Sequence, residues 1–221
     1  MGHNTGAIRG AAMSAIRVLR LLPLCAALIA PAALHGAAPP DANPKQDQPS
    51  LAGQLLIASP DMRDPRFQQT VLVMVRHDRD GAMAIVINRP VGEQPLARLL
   101  EAIGEKAAGA TGAVPVFQGG PVQLELGFVL HSADYRRTET HDIAAGIALT
   151  TIPEIFRDIA AKAGPNKSLI AFGYAGWAPG QLEAELARNA WHTAPTDPKL
   201  VFDEDRDKVW DLAMARRTRD L

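Results

Sequence analysis

Residues 173–183 read Gly173-Tyr174-Ala175-Gly176-Trp177-Ala178-Pro179-Gly180-Gln181-Leu182-Glu183. Just before them, Ser168 to Phe172 is a short apolar run of the kind that forms a buried strand. Gly173 and Gly176 permit backbone turns that a side chain would obstruct. Pro179 stands where a first helical residue would stand, because its missing N–H has no partner there in any case. Leu182, Leu186 and Ala190 follow at four-residue spacing and share one helix face. The stretch therefore predicts strand, glycine turn, helix. Free N–H groups near Gly180 and Gln181, at the start of that helix, would suit an anion. Two readings of the aromatics stand. Either Tyr174 and Trp177 plug the core around a tight corner, or they line a groove that meets a ligand.

Upstream, Gln54 to Ala58 is a strand candidate, and Ser59 to Gln69 is a loop anchored by Phe67. Val71 to Val75 and Met83 to Ile87 are continuous apolar runs, which predicts strands buried on both faces. Asp78-Arg79-Asp80-Gly81 between them is a turn signal, so the pair predicts a hairpin. Pro90 is expected to end the second strand. Leu96, Leu99, Leu100 and Ile103 mark a helix led by Pro95 and closed by Gly104. Gly109 to Ala113 reads as a loop. Val114 to Phe117 and Phe128 to Leu130 are further strands, and residues 132–146 read as irregular or edge structure. Thr151-Ile152-Pro153-Glu154 matches a capping box. Gly164-Pro165 stops the helix behind it. Lys199 to Phe202 reads as a last short strand. Asp203-Glu204-Asp205 then precede a final helix with Arg216, Arg217 and Arg219 at its end, charges that suit the helix dipole. Hairpins mixed with single helices predict one α+β or irregular α/β domain, with a strongly bent mixed β-sheet flanked by helices.

The first 38 residues differ in kind. Arg9, Arg17 and Arg20 are their only charged side chains, His aside, and Leu21 to Leu34 is an apolar run of 14 residues. That is short for a membrane span, which needs about 20 residues. It suits a signal peptide cut after Ala38, with an uncleaved anchor as the alternative and Met13 as a second candidate start. Cys25 lacks the small residue expected before a lipid-modified cysteine. Residues 39–50 read as a linker and 51–221 as the domain, about 170 residues and enough for one buried core. Loss of the leader removes the only cysteine, and with it any disulfide or Cys-ligated metal site. The leader holds three of the 23 basic residues and none of the 24 acidic ones, which leaves 20 against 24, net −4. That balance argues against direct nucleic-acid binding. Export to the periplasm or outside follows if the leader is used, with no membrane attachment after cleavage.

No Gly-x-Ser-x-Gly elbow, phosphate loop or dinucleotide fingerprint appears. No cofactor or metal site is expected, since His77, His131, His141 and His192 fall at no metal-ligand spacing. His77 and His131 each end an apolar run, which would let them share a sheet edge. They are the candidates for a general base. Arg89, after Asn88, would fork onto a carboxylate or phosphate, or equally make a structural ion pair. Gly119-Gly120 is too short for a nucleotide loop and reads as a strand-ending turn.

Several segments together resemble the YqgE/AlgH family. They are Leu55-Leu56-Ile57-Ala58-Ser59-Pro60, then Asp64-Pro65-Arg66-Phe67 with Thr70-Val71, then Ile87-Asn88-Arg89-Pro90 and Gly119-Gly120-Pro121. Gly173-Tyr174-Ala175-Gly176-Trp177 with Gly180-Gln181-Leu182-Glu183 follows. Trp191 and Thr193-Ala194-Pro195-Thr196-Asp197 complete the match. The resemblance spans residues 51–217 and implies a compact mixed α/β domain with no established catalysis. Some members carry a transcription-regulator label, and the chain has no helix-turn-helix pattern to go with it. The resemblance also implies a cytoplasmic location, the alternative to export if the leader is not used. One departure is Ala84, where the family's hairpin usually carries glycine.

Residues and resemblance together predict a non-catalytic binding or regulatory module for a small anionic ligand or protein partner. Its site is expected at Tyr174, Gly176, Trp177, Gly180 and Gln181, with Asn88, Arg89, Gly119 and Gly120 as neighbours. The alternatives are a hydrolase using His77 or His131, and a cell-envelope scaffold.

Overall fold

The structure is a computed structural model, and it describes residues 49–218 except 108, 109, 145, 152 and 153. The leader and most of the linker lie outside the described residues, as do Gly109 and part of the capping box at 151–154.

Apolar residues on successive positions dictate how the first strands pack. Strand β1 (Gln54–Ala58), β2 (Val71–Asp78) and β3 (Gly81–Val86) form an antiparallel meander. Leu55, Ile57, Val71, Val73 and Ile85 point into one core, and Leu56, Ala58, Leu72, Met74, Ala84 and Val86 into another. Because side chains alternate along a strand, a run apolar at every position fills both cores at once. The hairpin and its two-faced burial match the sequence expectation. Ala84 is fully buried in the second core, so its methyl packs there.

Strand β4 (Pro90–Pro95) pairs with β5 (Ala113–Gln118), and helix α1 (Leu96–Ala102) joins them. Here Pro90 does not end a strand. It opens an exposed edge strand, a position where a missing N–H leaves no ladder bond unmade. Strand β6 (Val122–Ser132) is much longer than expected. Strand β7 (His141–Ala144) is an edge strand, and β8 (Ile147–Thr150) is buried beside it. Helix α2 (Glu154–Ala160) packs with α1 over β5 and β6 to close a third core.

Strand β9 (Ser168–Trp177) is the organising strand, and it corrects the expected corner. It does not turn at Gly173 and Gly176. It runs on through both and changes partner instead. Residues 170–172 pair parallel with β5, whereas Ala175, Gly176 and Trp177 pair antiparallel with β3. Gly173 sits at the switch with φ +75. The side-chain alternation slips there: Leu169 and Ala171 face the first core, and so does Tyr174. On its other side β9 pairs with β6 across a wide bulge between Val122 and Gly127.

Helix α3 (Gln181–Ala187) is followed by β10 (Trp191–Pro195), an edge strand not anticipated, which pairs with β1. Lys199 to Phe202 is not a strand. It lies in helix α4 (Pro198–Phe202), where Asp197 caps the Lys199 N–H at 2.9 Å and Pro198 stands at N1. Helix α5 (Val209–Ala215) then packs on β1, β2 and β10. The path β10-β1-β2-β3-β9-β6-β8-β7, with β5 branching from β9, makes one curled, mostly antiparallel sheet with helices against it, an α+β domain.

Candidate functional site

A groove of about 960 Å3 runs between the 59–67 loop, the C-terminal end of β9 and α3. Gly176, Trp177 and Gln181, three of the expected residues, line it. Pro121 and Val122 border it, so the 119–121 turn is a neighbour of the 173–183 stretch. Tyr174 points to the other face of the sheet, where its ring meets Phe128 edge-on at 6.1 Å.

The wall of this groove is built around Glu185, a residue sequence reasoning did not single out. Its Oε2 accepts the indole N–H of Trp191 at 2.7 Å and that of Trp177 at 3.0 Å. Gln181 donates to Oε1 at 3.1 Å. The two indoles meet edge-to-face at 5.9 Å, and Phe67 stacks edge-on to Trp191 at 5.5 Å. Burial pushes the Glu185 carboxyl up, but the hydrogen bonds from Trp191, Trp177 and Gln181 outweigh it. The net pKa lies below the ordinary glutamate value. Both tryptophans are core residues, and the carboxylate satisfies their otherwise unpaired N–H groups. The third, Trp210, donates to the Ala58 carbonyl at 2.9 Å.

The helix start is less open than expected. The Gln181 N–H donates to the Ala178 carbonyl at 3.0 Å, and the Gln181 Oε1 accepts the Ala178 N–H at 3.1 Å. Gly180 takes the left-handed φ of +76 that this turn requires. Charge in the groove sits elsewhere. Arg66 is held by Asp64 through a two-nitrogen contact, and Arg188 lies 3.7 Å from Glu185. Arg63 and Asp61 have no ion-pair partner among the described residues.

Gly119 and Gly120 serve a backbone crossing. Gly119 bridges two strands: its carbonyl accepts the Val86 N–H at 2.8 Å and its N–H donates to the Phe172 carbonyl at 2.7 Å. Asn88 and Arg89 brace the end of the 59–69 loop. Asn88 accepts the Val71 N–H at 2.9 Å and donates to the Gln69 carbonyl at 2.8 Å. Arg89 donates to the Gln68 carbonyl and to the Thr70 hydroxyl. Its Nε is buried with no hydrogen-bond partner. None of these four residues lines the groove.

The two histidines do not share an edge. They lie on interior strands β2 and β6, with β3 and β9 between. His77 Nδ1 accepts the Leu51 N–H at 3.0 Å, so Nε2 carries the proton toward Glu183 at 2.9 Å. His131 Nε2 faces the Thr150 hydroxyl at 2.9 Å, and Nδ1 faces the Ser132 carbonyl at the same distance. A carbonyl only accepts, so Nδ1 is protonated and Thr150 donates. Thr140 then hydrogen-bonds Thr150 at 2.9 Å, and its own hydroxyl accepts the Arg137 N–H. The His131–Thr150 pair has the contact of a base and a nucleophile. Both residues are 0% exposed, however, which leaves no approach for a substrate.

Desolvation by burial lowers the His131 pKa below its ordinary 6.5. The unfolded chain therefore binds this proton more readily. The neutral imidazole's contribution to stability is full above pH 6.5 and is lost as pH falls through the depressed folded pKa. Thr150→Val, which leaves Nε2 without its donor, is expected to cost about 1–3 kcal/mol. Urea melts at pH 7 and pH 5 check both statements. Equal stability at the two pH values would place the imidazole in water.

No cluster of three or more potential metal ligands occurs among the described residues. None of their helices is long and apolar enough to cross a membrane.

Fold and groove define a curled α+β domain with a concave, partly polar groove lined by Trp177 and Glu185. The chain belongs to the AlgH-like family: the family model matches residues 55–221. A UPF0301 protein of Jannaschia sp. is 48% identical over 166 residues, covering 74% of this chain and 86% of that one. One from Methylococcus capsulatus is 44% identical over 163 residues, covering 74% and 89%. The solution structure of the AlgH protein from Pseudomonas aeruginosa matches with TM-score 0.65 and 43% identity over 78% of this chain and 92% of that one. A Corynebacterium diphtheriae protein shares the fold at TM-score 0.60 with 19% identity, covering 78% and 89%.

Proposed function

We propose that the protein is a non-catalytic binding module and that the groove beside Trp177 is its recognition surface. The observation that carries this is the groove itself: a concave polar surface whose wall is locked by the Trp177–Glu185–Trp191 contacts. A site held by packed side chains needs little ordering when a ligand arrives.

Its charges narrow the ligand. Three arginines and three carboxylates line it, so it offers no strongly positive field for a polyphosphate or nucleic acid. Arg63 is the lining cation without an ion-pair partner among the described residues, and Asp61 shares the lining with it. That pattern fits a ligand with one carboxylate and neighbouring polar groups, such as the C-terminal end of a peptide or a small organic acid. An enzyme reading has less support, because both ring nitrogens of His77 and His131 already have hydrogen-bond partners.

A thermal-shift screen of short peptides with free or amidated C-termini, and of small organic acids, tests the proposal. Free-carboxylate members should raise the melting temperature of the wild type and lose that effect in Arg63→Gln and Gln181→Ala. Stabilisation that persists in both variants would remove the groove from the account.

A further inference from the structure

A second groove, on a different part of the sheet, has the opposite character. It measures about 510 Å3 and lies between α1, the β4–β5 ladder and the bulged part of β6. Its lining includes Val91, Leu99, Val116, Leu124 and Phe172, and is overwhelmingly apolar. Val91 is 61% exposed and Leu124 57%, and these are two of the three large hydrophobics left open to solvent among the described residues. A cluster of apolar side chains left in water around a concavity marks a binding surface.

One charge breaks the apolar lining. Arg98, on the exposed face of α1, is the single ionisable residue there, and it has no ion-pair or hydrogen-bond partner among the described residues. Gln94 and Gln118 add amide groups to the same lining. The volume falls in the range of about 300–1,000 Å3 seen for small-ligand pockets.

We propose that this groove binds an amphiphilic carboxylate: a single acyl chain along the apolar wall with its acid head on Arg98. Each half of the site requires one half of that ligand. A plain hydrocarbon leaves the guanidinium without a counter-charge, and a small hydrophilic anion leaves the apolar wall in water. A second copy of the chain fits less well. A two-fold contact presents the same patch from both sides, so two Arg98 guanidiniums would meet across linings that hold no carboxylate.

Titration calorimetry of the full chain with decanoate, kept below its micellar concentration, and with decanol tests the inference. Arg98 and Leu124 are both exposed, so Arg98→Gln and Leu124→Gln should melt as the wild type does. Decanoate should bind saturably. Arg98→Gln should weaken it about ten-fold or more, the loss of a charge-assisted hydrogen bond, and leave decanol binding unchanged. Leu124→Gln should weaken both ligands. The inference fails if decanoate shows no saturable binding, or if it binds both variants as it binds the wild type. It also fails if Leu124→Gln dissociates a dimer on which decanoate has no effect, since a second copy then covers the patch.

Discussion

Gly120→Ala is expected to destabilise the domain by about 4 kcal/mol, a large share of the roughly 5–15 kcal/mol that holds a domain folded. A Cβ built on Gly120 would lie closer than 3.0 Å to three backbone atoms of Tyr174 and Ala175. Those atoms belong to the central strand, so no flexible side-chain end is available to move aside. Forcing packed groups apart costs roughly 1–3 kcal/mol. The backbone at Gly120, φ +153, adds strain of about the same size for any residue with a Cβ. Gly119→Ala meets the Gly173 carbonyl in the same way but without a positive φ, so it should cost the clash alone, roughly 1–3 kcal/mol. Gly92→Ala is the control, because a Cβ there meets nothing within 4 Å, and only its positive φ opposes the change. Urea unfolding of the three variants should rank Gly120→Ala, which carries both costs, well below the other two. If Gly92→Ala loses as much stability as Gly120→Ala while Gly119→Ala, which has no positive φ, loses none, backbone strain is responsible and the close crossing is not.

Trp177→Ala is expected to cost about 3–5 kcal/mol, the usual range for removing a large buried aromatic. The residue is 7% exposed and packs in the second core against Trp191. Trp177→Phe keeps most of the buried area and loses only the N–H donated to Glu185, so it should cost about 1–2 kcal/mol. The ratio between the two variants separates packing from hydrogen bonding. A Trp177→Ala protein that melts with the wild type would place the ring outside the core, facing solvent or a ligand. The same substitution removes one of the donors holding the Glu185 carboxyl down, so Glu185 should titrate at a higher pH in it.

The legible parts of the fold were those governed by local pattern. The β2–β3 hairpin is written in two apolar runs and an Asp-Gly turn, and α1 in four residues on one face. Strand β9 was misread because glycine has two uses. At 173 and 176 it looks like a turn, but Gly173 lets one strand run against the backbone of Gly120 and change partners from β5 to β3. That need arises from residues over fifty positions away, which no local window contains. Helix α4 carried a readable signal, Asp197 ahead of Pro198. Its apolar run of three, Leu200 to Phe202, is too short for periodicity to separate strand from helix. Strand β10 was hidden by Pro195, which an edge position tolerates.

The site divides in the same way. Gly176, Trp177 and Gln181 line the groove, and one unusual stretch of sequence contains all three. Glu185 was missed, although it stands four residues after Gln181 on one helix face and a hydrogen bond between the two is the natural outcome of that spacing. Its pairing with Trp191 depends on β10 returning along β1. The pairing of Glu183 with His77 spans 106 residues and leaves no trace in the local sequence. Asn88, Arg89, Gly119 and Gly120 were grouped with the site because they close strands. They support its surroundings: two brace the loop that forms one bank, and two make the crossing beneath the other.

Chemical-shift mapping of the isotope-labelled protein during titration with a short free-carboxylate peptide, with the amidated peptide as reference, tests the central claim most directly. The expected result is saturable movement of the Trp177 and Trp191 indole N–H signals and of the backbone amides at Arg63, Gly176 and Arg188. The amidated peptide should move none of them, and the Arg63→Gln protein should respond to neither. Signals in the groove that stay fixed while others move, or equal responses to both peptides, would contradict it.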